Sequence, residues 1–196
     1  INDGLDNENH HYCFDDRESV IKLRKFKTKD VDGFTDYIEH DFINQRSLNN
    51  VCNITKQKIK SNYFEIFDNV DIHANTNFPI FTCGQYFPQS GCLVFSLVDY
   101  GEGFLPKIRK KTNNQVEEPS DAIKWALSGN TTKSGNVKGG TGLKGILDFC
   151  HRKKGKLKIV SNGCYFHYIG GNKYSFNDFV KYHKGTSIHI IIDNLN

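Results

Sequence analysis

The sequence predicts an α+β fold, a two-layer α/β sandwich with helices packed on one mixed, mostly antiparallel sheet. Helical and strand patterns follow one another as helix, hairpin, loop, helix, hairpin and strand, an order typical of this class. The chain has 196 residues, which suits one core, and 37% of them are hydrophobic and 13% aromatic. This composition excludes a largely disordered chain. We expect one domain over residues 34–196, preceded by a polar extension over residues 1–33.

Hydrophobic periodicity predicts the elements of the first part of the chain. Residues 20–27 alternate loosely and are compatible with a strand. Apolar residues between Phe34 and Phe42 recur at helical spacing, and residues 51–74 form a longer amphipathic pattern. Two β-rich runs follow, joined by a short turn, and predict a hairpin over Ile80–Phe87 and Cys92–Asp99.

The second part of the chain alternates between glycine-rich stretches and short periodic segments. Residues 100–119 and 130–141 are predicted as loops, with a helix between them over Asp121–Ser128. A further helix is expected from Leu143 to about Gly155. The dipeptide Asn162-Gly163 is a strong hairpin signal, and alternating isoleucines predict a last strand at Ser187–Asp193.

Charge and cysteine content limit the environment and the partners. Residues 104–158 hold 13 basic and 4 acidic side chains, so this segment suits a polyanion, either nucleic acid or a nucleotide polyphosphate, or forms a solvated basic face. The six cysteines form no CxxC pair, which predicts free thiols in a cytoplasmic protein. No apolar run approaches the length of a membrane helix, and we expect no contact with a membrane.

A polar pair lies on the predicted helix over residues 51–74. Glu65 and Asn69 are four residues apart and therefore adjacent, opposite the apolar face of the helix. A carboxylate beside an amide oxygen can hold a water molecule and a hard cation such as Mg²⁺. The alternative interpretation is a polar stripe that faces solvent.

Two glycine-containing motifs accompany this pair. At the end of a predicted strand, Asp99 can accept a hydrogen bond from an exocyclic amine, while Gly101 and Gly103 allow a flat ring to approach the backbone. Residues 139–143, Gly-Gly-Thr-Gly-Leu, begin a helix whose N–H groups can bind an anion, with lysines nearby. The spacing matches neither a Rossmann motif nor a P-loop.

In their order along the chain, four motifs resemble those of the GHKL ATPase superfamily, which includes gyrase, a heat-shock chaperone, histidine kinases and mismatch-repair proteins. EIFDNVDIHAN is similar to the N box, and DYGEG, GGTGLKGI and GTSIHIII are similar to the three glycine boxes. Residues 121–145 also resemble small bacterial stand-alone proteins of the histidine-kinase-like ATPase class. The resemblance implies a Bergerat-type sandwich that binds ATP and Mg²⁺.

The resemblance also implies a role for each matching residue. Glu65 would be the general base, Asn69 the Mg²⁺ ligand and Asp99 the residue that reads adenine. The basic stretch 104–138 would be a lid over the nucleotide. The remaining residues expected to bind the nucleotide are Gly101, Gly103, Lys133, Lys138, Gly140, Thr141, Gly142, Leu143, Lys144 and Thr186.

Several functions are compatible with these motifs. The first is ATP hydrolysis or transfer of the γ-phosphate. The alternatives are a protein kinase of the anti-sigma or histidine-kinase type, a non-hydrolysing ATP-dependent switch that binds another protein, and a nucleic-acid binder. We disfavour nucleic acid because the basic segment has few aromatic residues for base stacking. We expect a protein partner or a separate output domain, and a homodimer is compatible with the sequence.

Overall fold

The structure is a computed structural model that describes residues 19–44, 48–73, 75–130, 142–193 and 195. Over these residues the chain has an α+β fold built on a five-stranded sheet with the strand order β1-β2-β3-β5-β4. The strands are β1 (Val20–Phe26), β2 (Ile80–Phe87), β3 (Cys92–Asp99), β4 (Lys156–Gly170) and β5 (Lys173–Ile192).

Five α-helices accompany the sheet in the described ranges, and the first continues directly into a π-helical segment at Tyr37–Ile43. The first helix begins where the side chain of Asp30 accepts a hydrogen bond from the N–H of Gly33 at 3.1 Å, a standard N-cap. The helices are α1 (Val31–Asp36), α2 (Asn53–His73), α3 (Leu105–Lys111), α4 (Pro119–Leu127) and α5 (Gly142–Arg152).

The core lies between the helices and one face of the sheet. Along β3, alternate residues are buried, as expected for a strand with one face against a core. The ring of Phe95 stacks on Tyr63 of α2 at a centroid distance of 3.8 Å, and Phe42 stacks on Tyr63 at 5.0 Å. These contacts fix α2 over the middle of the sheet and so determine where its polar side faces.

Several predicted elements are confirmed, among them α2, the β2–β3 hairpin and α4. Two expectations about the sheet and the stretch 100–119 were wrong. Every pairing among the described strands is antiparallel, so the sheet is not mixed. The stretch 100–119 is not a continuous loop, because α3 forms at Leu105–Lys111, with a proline in its first turn, a position that proline tolerates well.

The described part of the expected N-terminal extension contributes to the same fold. β1 pairs with β2 along the edge of the sheet. Ile21 and Phe26 belong to the hydrophobic core cluster, and the Phe26 ring meets Phe34 edge-on at 5.4 Å and Phe67 at 6.2 Å. Residues 20–26 are therefore a strand that contributes Ile21 and Phe26 to the core.

The hairpin predicted at Asn162-Gly163 was also wrong. β4 runs through both residues with irregular pairing, and the chain turns instead after Gly170. Gly170 and Gly171 have φ values of 111° and 60°, which glycine adopts without strain. Asn162 has a φ of 59°, a conformation that asparagine tolerates better than most residues. The Asn-Gly pair therefore forms a bulge within a strand, not a turn.

Candidate functional site

The polar side of α2 faces the start of α5. Glu65 and Asn69 are half-buried, while their neighbours Ile66, Phe67 and Val70 lie in the core. A Cβ atom added to Gly142 would lie 3.7 Å from Oε1 of Glu65 and 3.8 Å from Nδ2 of Asn69. The first residue of α5 therefore lies against both polar side chains, so the predicted pair and Gly142 come together in space.

Asp99 ends β3 as a buried carboxylate with only 2% of its surface exposed. Its Oδ1 accepts a hydrogen bond of 2.7 Å from the N–H of Gly101. Burial raises the pKa of Asp99 to about 6, although backbone N–H groups of Gly101 and Thr186 stabilise the charged form. When ionised, this buried carboxylate is a strong acceptor for a hydrogen bond from an N–H or O–H group of a ligand.

One crevice connects Asp99 with Asn69 of α2. It is narrow, with a cavity volume of about 20 Å³, is partly open to solvent, and is bounded by residues from α2, the end of β3, the turn before α3, and β5. Polar and apolar side chains share its lining, a combination typical of small-molecule sites. The residues that line it are Asn69, Val70, Asp99, Gly103, Phe104, Thr186 and Ile188.

Two glycines at the crevice are required by the packing of the protein itself. Gly103 has a φ of 74°, and a Cβ there would lie within 2.7 Å of side-chain atoms of Ser161 and Asn162. Gly185 has a φ of 88°, and a Cβ there would lie 2.0 Å from the carbonyl oxygen of Asp99. Gly101 contributes its N–H to Asp99.

No motif in the sequence indicated Ser161 and Asn162 as site residues. Both are buried, with exposed fractions of 1% and 3%. The hydroxyl of Ser161 accepts a hydrogen bond from the N–H of Phe104 at 3.1 Å and lies 3.2 Å from Oγ1 of Thr186. The signal present in the sequence, Asn-Gly, indicated a turn, and only the tertiary fold brings these side chains to the crevice.

The phosphate end of the expected site is described in part. Lys133, Lys138, Gly140 and Thr141 lie outside the described residues. Leu143 is buried in the core cluster, which leaves its backbone as the part available to a ligand. Lys144 is exposed on α5.

The donor set at Asn69 restricts the kind of cation that it can hold. Within the described ranges, no group of three or more His, Cys, Asp and Glu side chains converges on one point. Glu65 and Asn69 offer oxygen atoms, which suit Mg²⁺, and Mg²⁺ commonly takes its other ligands from phosphates and water. The residues present therefore fit Mg²⁺ that arrives with a phosphate ligand.

Comparison with known proteins adds no assignment to this geometry. No protein-family model matches the chain, and no curated protein matches it. Among the described helices, none is both long enough and apolar enough to cross a membrane.

Proposed function

We propose that this chain is a Mg²⁺-dependent ATP-binding domain of the GHKL type that hydrolyses ATP or transfers its γ-phosphate. One observation carries the proposal: Asn69, Asp99, Gly103 and Thr186, which are distant in the sequence, line the same crevice. The α+β arrangement, with an antiparallel sheet under the helices, is compatible with a Bergerat-type sandwich.

The side chains around Asp99 match the chemistry of adenine. The Asp99 carboxylate has an acceptor oxygen for the exocyclic amine, since a carboxylate offers about four acceptor positions and two backbone N–H groups use part of them. The side chains of Val70, Phe104 and Ile188 supply apolar contacts for a ring. The hydroxyl of Thr186 lies on the same wall and can bind a polar edge of the base.

The other end suits a polyphosphate. The N–H groups in the first turn of α5 have no partners within the helix, and the helix dipole favours a negative charge there. Asn69 would hold Mg²⁺ through its side-chain oxygen, and Mg²⁺, when bound, neutralises phosphate charge. Glu65 lies beside the same helix start, where its carboxylate can accept the proton of an attacking water or hydroxyl group.

The basic segment after Gly103 would supply further positive charge. Its described part, residues 104–130, contains α3 and α4, and α3 carries Arg109, Lys110 and Lys111 in its last turn, all of them exposed. These cations extend the positive field near the crevice, which favours the approach of an anionic ligand.

Calorimetric titration with Mg·ATP tests the proposal. We expect the wild-type chain to bind, and we expect Asp99→Asn to lose at least about tenfold in affinity, because the new NH₂ group opposes the amine of adenine. Asp148→Asn, an exposed position on α5, is the matched control and should bind normally. Unchanged affinity in Asp99→Asn would refute the assignment of the base end.

The fate of the γ-phosphate separates the candidate activities. Release of inorganic phosphate from labelled ATP indicates hydrolysis, and label on a protein indicates transfer. Tight binding with neither outcome indicates a switch that uses ATP without turnover.

A further inference from the structure

Asn162 lies where β4 leaves regular pairing, and its side chain reaches across to the turn before α3. Its Nδ2 donates to the carbonyl oxygen of Glu102 at 2.7 Å, and its Oδ1 accepts from the N–H of Leu105 at 2.9 Å. One side chain therefore holds the chain on both sides of Gly103, the residue that lines the crevice. The left-handed backbone at Asn162, with a φ of 59°, directs the side chain away from the regular ladder.

Ser161 completes this arrangement from the neighbouring position. Phe104 is the N-cap of α3 and makes no side-chain cap of its own. Instead, the side chains of Ser161 and Asn162 accept hydrogen bonds from the N–H groups of Phe104 and Leu105. Strand β4 therefore caps helix α3. Because the Ser161 hydroxyl also lies 3.2 Å from Oγ1 of Thr186, it connects two walls of the crevice.

We propose that Ser161 and Asn162 are positioning residues that fix Gly103 and Thr186 relative to each other at the adenine site. They set the preference of the site for adenine nucleotides. This inference rests on the proposed function. Neither side chain lines the crevice itself, so both act through the residues that do.

Tyr182 extends the arrangement to the surface. Its hydroxyl accepts a hydrogen bond from Nδ2 of Asn162 at 3.1 Å and donates to the carbonyl oxygen of Glu102 at 3.3 Å. The ring is 64% exposed, and removal of the hydroxyl deletes one outer support without creating a cavity. Tyr182→Phe should therefore weaken the same function by a smaller factor than substitution of Asn162.

The two ends of the crevice allow a specific test. Mg·UTP has the same ribose and phosphates as Mg·ATP but no exocyclic amine on its base that could donate to Asp99. A positioning role at the base end predicts a loss for ATP and little change for UTP. A general loss of folded protein would reduce binding of both nucleotides by the same factor.

We would measure affinities of wild type, Asn162→Gly, Asn162→Asp and Tyr182→Phe for Mg·ATP and Mg·UTP by calorimetry. Glycine keeps the left-handed backbone at position 162 and removes the side chain, while aspartate keeps the acceptor for Leu105 and removes the donor. We expect Asn162→Gly to bind ATP about tenfold more weakly, from the loss of several hydrogen bonds, with less than about a twofold change for UTP. Asn162→Asp and Tyr182→Phe should show intermediate losses.

Asn177→Ala is the matched control, since its amide bonds only to exposed Ser175 on the hairpin among the described contacts, and it should bind both nucleotides as wild type does. Equal affinity of Asn162→Gly and wild type for ATP, or equal losses for ATP and UTP, would overturn the inference while leaving the proposed function intact. If Asn162→Gly fails to fold, the same comparison is made with Ser161→Ala and Tyr182→Phe. Their ratio of affinity for ATP to affinity for UTP, relative to wild type, then decides whether the inference holds. Absence of ATP binding by the wild-type chain would overturn the proposed function itself.

Discussion

Asp99 and Thr186 face each other as partners in the ladder between β3 and β5. The backbone N–H of Thr186 donates to the Asp99 carboxylate, and the N–H of Gly101 donates to it from the following turn. These two donors do not compensate for burial, which raises the pKa of Asp99 to about 6. The carboxylate is thus kept at the crevice at the expense of stability of the folded chain.

The first prediction concerns the stability of Asp99→Asn as a function of pH. The folded pKa of about 6 lies above the ordinary value of 3.8, so between these values the folded chain binds more protons than the unfolded chain. Stability therefore falls as pH rises from about 4 to about 6, and the loss is complete above that range, with an upper limit of about 3 kcal/mol. Asparagine carries no charge and keeps the acceptor for Gly101.

We expect Asp99→Asn to unfold at higher urea concentration than wild type at pH 8 and to lose this advantage at pH 4. Fluorescence of Trp125, the single tryptophan, monitors the transition. Asp148→Asn, at an exposed position, should show no gain that depends on pH in this way. An advantage of equal size at pH 4 and pH 8 would contradict the assignment of the raised pKa.

The second prediction compares two glycines with positive φ. A Cβ at Gly185 would lie 2.0 Å from the carbonyl oxygen of Asp99, whereas a Cβ at Gly171 would have no atom within 4 Å. Gly171→Ala should lower the free energy of unfolding by about 1 kcal/mol, from backbone strain alone. Gly185→Ala should lower it by about 2–4 kcal/mol, because the two strands must also separate. Similar losses at both positions in urea titrations would show that the close approach at Gly185 is relaxed.

The third prediction concerns the strand that precedes residue 34. Phe26 is 6% exposed and packs among aromatic rings of the core, so Phe26→Ala should lower the free energy of unfolding by about 3–5 kcal/mol. Leu23, on the same strand, is 68% exposed, and Leu23→Ala should change it by less than about 0.5 kcal/mol. If both variants unfold as wild type does, β1 is dispensable for the core.

Local patterns of apolar residues were sufficient to predict those elements in which one face is buried along the whole length. The apolar face of α2 predicted its position and also the direction of Glu65 and Asn69, and the β-rich run over Cys92–Asp99 placed Asp99 at the end of β3. These predictions succeeded because burial of one face repeats at the period of the element itself.

The errors occurred where distant contacts override local preference. Asn162-Gly163 has the composition of a tight turn, but the amide side chain of Asn162 bonds to residues 57 and 60 positions earlier in the chain, at Leu105 and Glu102. Residues 100–119 were predicted as a loop because they contain Gly, Pro, Lys and Asn, yet α3 forms within them and Ser161 and Asn162 accept hydrogen bonds from the N–H groups at its start. Such long-range capping leaves no periodic pattern in the sequence.

The last prediction separates binding from turnover at Glu65. This side chain lies beside Gly142 at the start of α5, with Asn69 as its neighbour on α2, and removal of its charge should leave the base end of the crevice unchanged. We expect Glu65→Gln to bind Mg·ATP within about threefold of wild type. Its rate of phosphate release or transfer should fall by about 10²–10⁴-fold, the usual contribution of a positioned general base.

Glu118→Gln is the matched control, because Glu118 is an exposed N-cap of α4 that makes no capping hydrogen bond. It should retain full activity in the same phosphate assay. Turnover of Glu65→Gln at the wild-type rate would exclude Glu65 as the base, whereas loss of ATP binding would show instead that the carboxylate holds the nucleotide or its metal. A slower rate with retained affinity is the result expected of a role in proton transfer, since the amide keeps the size of the original side chain but has no basic oxygen that could take up the proton.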